Sequence, residues 1–252
     1  MIDVITVRGT GEPMNGPGNM LRAVTRRLDP ARFRLIGDCP YPATVGPVGA
    51  DPAGPSEAQS RIVGVTALAA MVRASPNLVG VIGYSLGALV VDDFRVAQAE
   101  GLYPDCQIAW SACVANPARR QGDSIDPGAR GYGITGEHRP FAPGVVHLEA
   151  ANPGDVITSS SAGSPLRTIA DTMSAFSFAE LGGWSADMAD RFRRQRWQPV
   201  SLDWWRHPVE TWQVYDEAAR GILGYLSGRE HIRAYIEGGY CERLAARINQ
   251  QI

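Results

Sequence analysis

With 252 residues, 44% apolar and 20% charged, the chain can bury a sizeable core as one large domain and is not disordered. Its formal charge of −2, with no basic run, leaves DNA or RNA binding without an electrostatic footing. No stretch approaches the roughly 18 to 20 apolar residues that span a bilayer, and the opening MIDVITVRGTGEP lacks the basic and long apolar regions of a signal peptide.

Met1 to Val7 alternates and is β-branched, as a strand should be. The Gly- and Pro-rich loop RGTGEPMNGPGN follows, then an amphipathic run from Met20 to Leu28 and a short strand from Phe33 to Ile36. Proline and glycine punctuate residues 38–55, which read as loop. Ser56 and Gln59 have capping-box spacing ahead of an alanine-rich helix. Leu78 to Ile82 is a continuous apolar run, the pattern of a strand buried on both faces. Ala88 to Ala99 predicts another helix, and Gln107–Val114 and Gly144–Leu148 two further strands. Strands alternating with helices predict an α/β fold with a mostly parallel sheet covered on both sides.

Residues 161–228 change character. They read as helical and hold five of the six tryptophans, Trp184, Trp197, Trp204, Trp205 and Trp212. This segment is expected to be an insertion, with residues 1–160 and 229–252 forming the core. Most of these rings should pack within the insertion itself, leaving one or two to line a pocket. Cys39, Cys106, Cys113 and Cys241 form no C-x-x-C pair and have no zinc-finger histidine spacing, so structural thiols are expected, with one disulfide compatible.

The chemistry concentrates at VIGYSLGALVV, where Ser85 stands between Gly83 and Gly87. G-x-S-x-G alone is weak, but a buried strand before it and a helix behind it are the context of a nucleophile elbow. A plain strand-to-helix turn is the competing reading. A serine hydroxyl needs a base to take its proton. Of His138, His147, His207 and His231, the last follows a glycine break near the C-terminal helix and is the first choice; His207 is the second. Asp155, on the Asn-Pro-Gly turn after a strand, is the preferred acid, ahead of Asp123, Asp126 and Asp203; its competing role is turn or cap residue. The Leu86 N–H comes with the elbow as an oxyanion donor, and Thr10 in RGTGE offers the second. A phosphate loop at RGTGE fails for want of G-x-G-x-x-G.

RGTGE after the first strand, GYSLGA at the elbow and NPGDVI at the acid together resemble the cutinase-like serine esterases of the α/β-hydrolase superfamily. Within that group the chain is most similar to the lysin B proteins of mycobacteriophages. The similarity includes the CPYPA segment, ANPARRQGD, a late histidine and a long interval between Asp155 and His231. It implies a cutinase-like α/β-hydrolase fold and a serine esterase cutting the mycolic acid–arabinogalactan ester during phage-induced host lysis. The family's nucleophile, acid and base match Ser85, Asp155 and His231, and its oxyanion position matches Thr10, with Leu86 N–H as partner. Leu86 replaces the glutamine many relatives carry, and Arg8 replaces a frequent histidine. The implied protein is a monomer made in the host cytoplasm and acting at the cell wall on a long-chain lipid ester. It needs no metal and no cofactor. A general cutinase-like lipase or esterase, and a noncatalytic wall- or virion-associated binding module, are the alternatives.

Overall fold

The computed structural model describes residues 1–44, 55–164 and 228–252. Residues 165–227, nearly all of the Trp-rich insertion and including Asp203 and His207, lie outside the described residues.

Among the described residues, five strands form one sheet: β1 (Ile2–Val7), β2 (Phe33–Asp38), β3 (Val79–Tyr84), β4 (Ile108–Val114) and β5 (Val146–Ala150). Their order is β2-β1-β3-β4-β5, and every neighbouring pair is parallel. Parallel neighbours require crossovers. These include α1 (Arg22–Thr25) between β1 and β2, α2 (Glu57–Ala74) before β3 and α3 (Leu86–Ala99) after it. The chain returns after the insertion as a π-helical turn (Arg229–Arg233) that runs into α4 (Ala234–Glu237), followed by α5 (Tyr240–Gln251).

Side-chain alternation divides the core into two layers. Ile5, Val7, Val81 and Cys113 pack with Leu68 of α2 and Phe94 of α3 on one face. On the other, Val4, Ile82, Trp110 and Leu148 pack with Leu244 and Ile248 of α5. The expected capping box opens α2: Ser56 Oγ accepts from Gln59 N at 3.3 Å, and Ser56 N donates to Gln59 Oε1 at 2.9 Å.

Several local bounds shift; β3 runs over Val79–Tyr84 rather than Leu78–Ile82, and α3 begins at Leu86 rather than Ala88. Helix forms over only four residues of the Met20–Leu28 run, flanked by tighter turns such as Ala23 N to Met20 O and Leu28 N to Thr25 O. β2 continues past Ile36 to Asp38, with a register shift between Val4 and Ile5 of its partner. β5 starts at Val146 rather than at Gly144, whose φ of +94° belongs to a turn. All four cysteines are buried free thiols, so none forms the disulfide left open by the sequence.

Strand order reverses between β1 and β3: from β1 the chain moves outward to β2, then back across to β3 and on to β4 and β5. At such a switch point, the loops leaving the carboxyl ends of the two central strands diverge and leave a crevice. Here those loops carry Gly9–Thr10 and Ser85.

Candidate active site

Ser85 sits at φ 52°, ψ −117°, between the end of β3 and the start of α3. A non-glycine residue at positive φ is strained, and this turn is held because nothing larger than glycine fits on either side. A Cβ on Gly83 would lie 2.5 Å from the Gly87 carbonyl oxygen; one on Gly87 would lie 1.9 Å from the Val7 carbonyl oxygen. The elbow is thus pressed against the end of β1. Ser85 N donates to Val114 O at 3.1 Å, which fastens it to β4 as well.

His231 is buried in the π-helical turn, with its ring at the same sheet edge. Its Nε2 lies 3.0 Å from Ser85 Oγ, and its Nδ1 lies 2.8 Å from Asp155 Oδ2. A carboxylate only accepts, so Nδ1 carries the proton and Nε2 is left to accept from the serine hydroxyl. The order is hydroxyl, imidazole, carboxylate.

Asp155 follows β5 on a turn built by Asn152, whose Oδ1 accepts from Gly154 N at 3.0 Å and whose carbonyl accepts from Asp155 N at 3.0 Å. Its carboxylate also accepts from Ile157 N at 3.1 Å and from Tyr235 OH at 2.9 Å. The turn role and the His231 contact therefore coexist in one residue. Asn152 Nδ2 reaches back to Glu230 O and Glu230 Oε2, both at 2.9 Å. Tyr84, beside the serine, donates its hydroxyl to His231 O at 3.1 Å. The segment bearing the imidazole is consequently tied to the loop of the acid and to the strand of the serine.

Among the described residues, Asp123, Asp126, His138 and His147 do not join this chain. Asp126 accepts from Arg243 Nε at 2.7 Å and from Ala151 N at 3.3 Å, a structural pairing. Asp123 is exposed. His147 points from β5 toward Ser111 and Glu149, and His138 stacks on Phe141.

Leu86 opens α3, so its N–H is among the first helical donors without an intrahelical acceptor, where the helix dipole favours negative charge. Thr10 is exposed on the turn after β1. Gly9 beside it lies so close to Tyr84 that a Cβ there would sit 2.6 Å from the ring. Arg8 is buried and anchors this loop. It donates to Glu12 O at 2.8 Å, to Cys39 O at 3.1 Å and to Tyr41 O, and stacks over the Tyr41 ring. Glu12 accepts from Gly9 N and Met20 N, both at 2.7 Å; burial raises its carboxyl above the ordinary range. Arg8 and CPYPA thus work together to hold the Thr10 loop.

Sequence reasoning missed Tyr235, Asn152 and Tyr84. Tyr235 had one available signal, since His231-x-x-x-Tyr235 places both on one face of a helical segment.

No protein-family model and no curated protein sequence matches the chain. Among solved structures, lysin B from Mycobacteriophage D29 superposes with a TM-score of 0.56 at 18% identity, covering 96% of this chain and 98% of that one. A cutinase-like protein from Cryptococcus sp. aligns at 17% identity with TM-score 0.48, over 63% of this chain and 79% of that one. An acetylxylan esterase aligns at 17% identity with TM-score 0.44, over 69% and 93%. The parallel five-stranded sheet, its covering helices and the likeness to lysin B establish the cutinase-like α/β-hydrolase fold.

Proposed function

We propose that the protein is a serine esterase acting on long-chain lipid esters. The observation that carries this reading is the continuous hydrogen-bonded chain from Ser85 Oγ through His231 to Asp155. As His231 Nε2 takes its proton, Ser85 Oγ bonds to the ester carbonyl carbon. The oxyanion that forms is met by Leu86 N–H and by Thr10. Collapse breaks the bond to the alcohol, which leaves with the proton from Nε2. Water, deprotonated by the same imidazole, then attacks the acyl-enzyme and releases the acid and a restored Ser85. Asp155 holds the imidazole's tautomer and stabilises its charged form throughout.

The natural substrate in this reading is the mycolic acid–arabinogalactan ester, cut at the cell wall during host lysis. Support comes from RGTGE, GYSLGA and NPGDVI and from near end-to-end structural similarity to a mycobacteriophage lysin B. A phosphonate that labels serine hydrolases should modify Ser85 stoichiometrically, and Ser85→Ala should abolish labelling. Hydrolysis of a p-nitrophenyl ester should fall about 10⁴-fold or more in Ser85→Ala and in His231→Ala. Folded protein that neither labels nor hydrolyses would instead be a binding module. Activity on soluble esters without release of mycolic acid from purified wall would mark a general cutinase-like esterase.

A further inference from the structure

A second cluster of chemistry-bearing side chains lies on the other side of the sheet from α5. His147 and Glu149 are two apart on β5, alternating with Leu148 and Ala150, which face α5. They therefore point toward α3, which contributes Asp92, while the long β4–β5 connection contributes His138. One ligand atom from each of the four residues lies within 4.8 Å of every other.

Two carboxylates here are almost wholly buried, Asp92 at 2% and Glu149 at 2% exposure. Uncompensated, such a pair is costly. The chain contains no lysine, and among the described residues no arginine hydrogen-bonds either carboxylate. Asn116 donates to both, to Asp92 Oδ2 at 2.9 Å and to Glu149 Oε1 at 2.7 Å, and His147 Nε2 lies 3.0 Å from Glu149 Oε1; the amide orients the carboxylates without neutralising them. Glu149 Oε2 and His138 Nε2 are buried and have no hydrogen-bond partner among the described residues. A proton on one carboxyl would cancel one charge and leave His138 Nε2 unused; a divalent cation would answer both charges and take both lone pairs.

The surroundings match a metal's outer layer. A ligating imidazole characteristically gives its other N–H to a carbonyl or similar acceptor. His138 Nδ1 lies 2.8 Å from Arg139 O, which fixes Nε2 as the bare nitrogen, and His147 Nδ1 lies 2.9 Å from Ser111 Oγ. Phe141 stacks on the His138 ring at 4.2 Å and meets the His147 ring edge-on at 5.0 Å, restricting both. Imidazole nitrogen is a borderline ligand and carboxylate oxygen a hard one, and zinc-type ions accept both. With metal–ligand bonds of about 2.0–2.2 Å, tetrahedral ligands stand about 3.3 Å apart, so binding draws the four inward by no more than about 1.5 Å.

We propose that Asp92, His138, His147 and Glu149 bind one divalent transition-metal ion of the zinc type in a closed, structural site. Four protein ligands fill a tetrahedron, leaving no position for substrate. The ion would clamp the β4–β5 connection and β5 to α3, the helix that begins directly behind Ser85.

The test uses the full chain, stripped with a chelator and titrated with Co²⁺ and then Zn²⁺. One Co²⁺ per chain should bind with the intense visible absorption of tetrahedral coordination, and Zn²⁺ should displace it. Zn²⁺ at a hundredfold excess over its Kd should raise the Tm by about 5–10 °C. His138→Ala and Glu149→Gln should each weaken Co²⁺ binding by at least about 10²-fold, since even outer partners of a metal site are worth 10–100-fold. Should Glu149→Gln fail to fold, His138→Ala, on a partly exposed loop, decides the matter. Absence of the tetrahedral spectrum and of any Tm rise overturns the proposal, as does binding that both variants leave unchanged. Ser85→Ala should bind Co²⁺ like the parent, so failure of the esterase reading and failure of this one are told apart.

Discussion

Tyr235 shows how much of the candidate site rests on residues that carry no motif. Its hydroxyl donates to Asp155 Oδ2 and accepts from Asn152 N at 3.1 Å, so it links the acid to the turn that presents it. The ring is fully buried, and burial pushes its hydroxyl well above the usual phenol range, keeping it a neutral donor. In Tyr235→Phe the carboxylate loses a charge-assisted hydrogen bond, and Asn152 N loses its acceptor. Such a bond is worth about 1.5–3 kcal/mol. Ester hydrolysis should therefore drop about tenfold or more in kcat with KM little changed, readable by steady-state kinetics on the same p-nitrophenyl ester. Ser85, Asp155 and His231 could be singled out in the sequence because each stands in a recognisable setting: an elbow, an Asn-Pro-Gly turn, a segment after a glycine break. A tyrosine before a C-terminal helix has the same composition whether it packs or positions, so it stays invisible until the chain is folded.

At the scale of elements, local physics was the more readable. The β-branched run of β1 and the apolar run of β3 predict strands, and both are buried on both faces, feeding alternate side chains to the two core layers. Ser56 and Gln59 predict a helix start because each supplies the hydrogen bond that the other's backbone lacks. Ser56→Ala should cost about 1 kcal/mol, measured by urea unfolding, with little effect on activity because the cap is exposed and lies outside the Ser85–His231–Asp155 chain. The His138/Glu149 cluster was illegible for the opposite reason. Its members come from a helix, a loop and a strand, and only the spacing of His147 and Glu149 carries any pattern. Nothing in a linear reading brings Asp92 of α3 close to β5; the packing of α3 on β3 and β4, with β5 alongside β4, does.

For the whole molecule, stability at low pH should turn partly on Asp3. It is buried in β1, takes a two-pronged contact from Arg34 of β2 at 2.8 and 2.9 Å, and accepts from Ser75 Oγ at 2.7 Å ahead of β3. The Arg34 hydrogen bonds, more than its other partners, hold its carboxyl below the ordinary range. A carboxyl lowered on folding adds stability that is complete above its unfolded pKa of about 3.9 and is lost as pH falls through the folded value. Asp3→Asn should therefore be less stable than the parent at neutral pH, and urea unfolding across an acid series should show the gap closing below about pH 4. The left-handed turn at residue 85 bears on the same global balance. A side chain at φ 52° holds the folded state at a higher free energy than glycine would. Ser85→Gly should melt above Ser85→Ala in calorimetry. A chain silenced in that way would be a sturdy decoy, able to grip an uncleaved ester long enough for its identity to be read off directly.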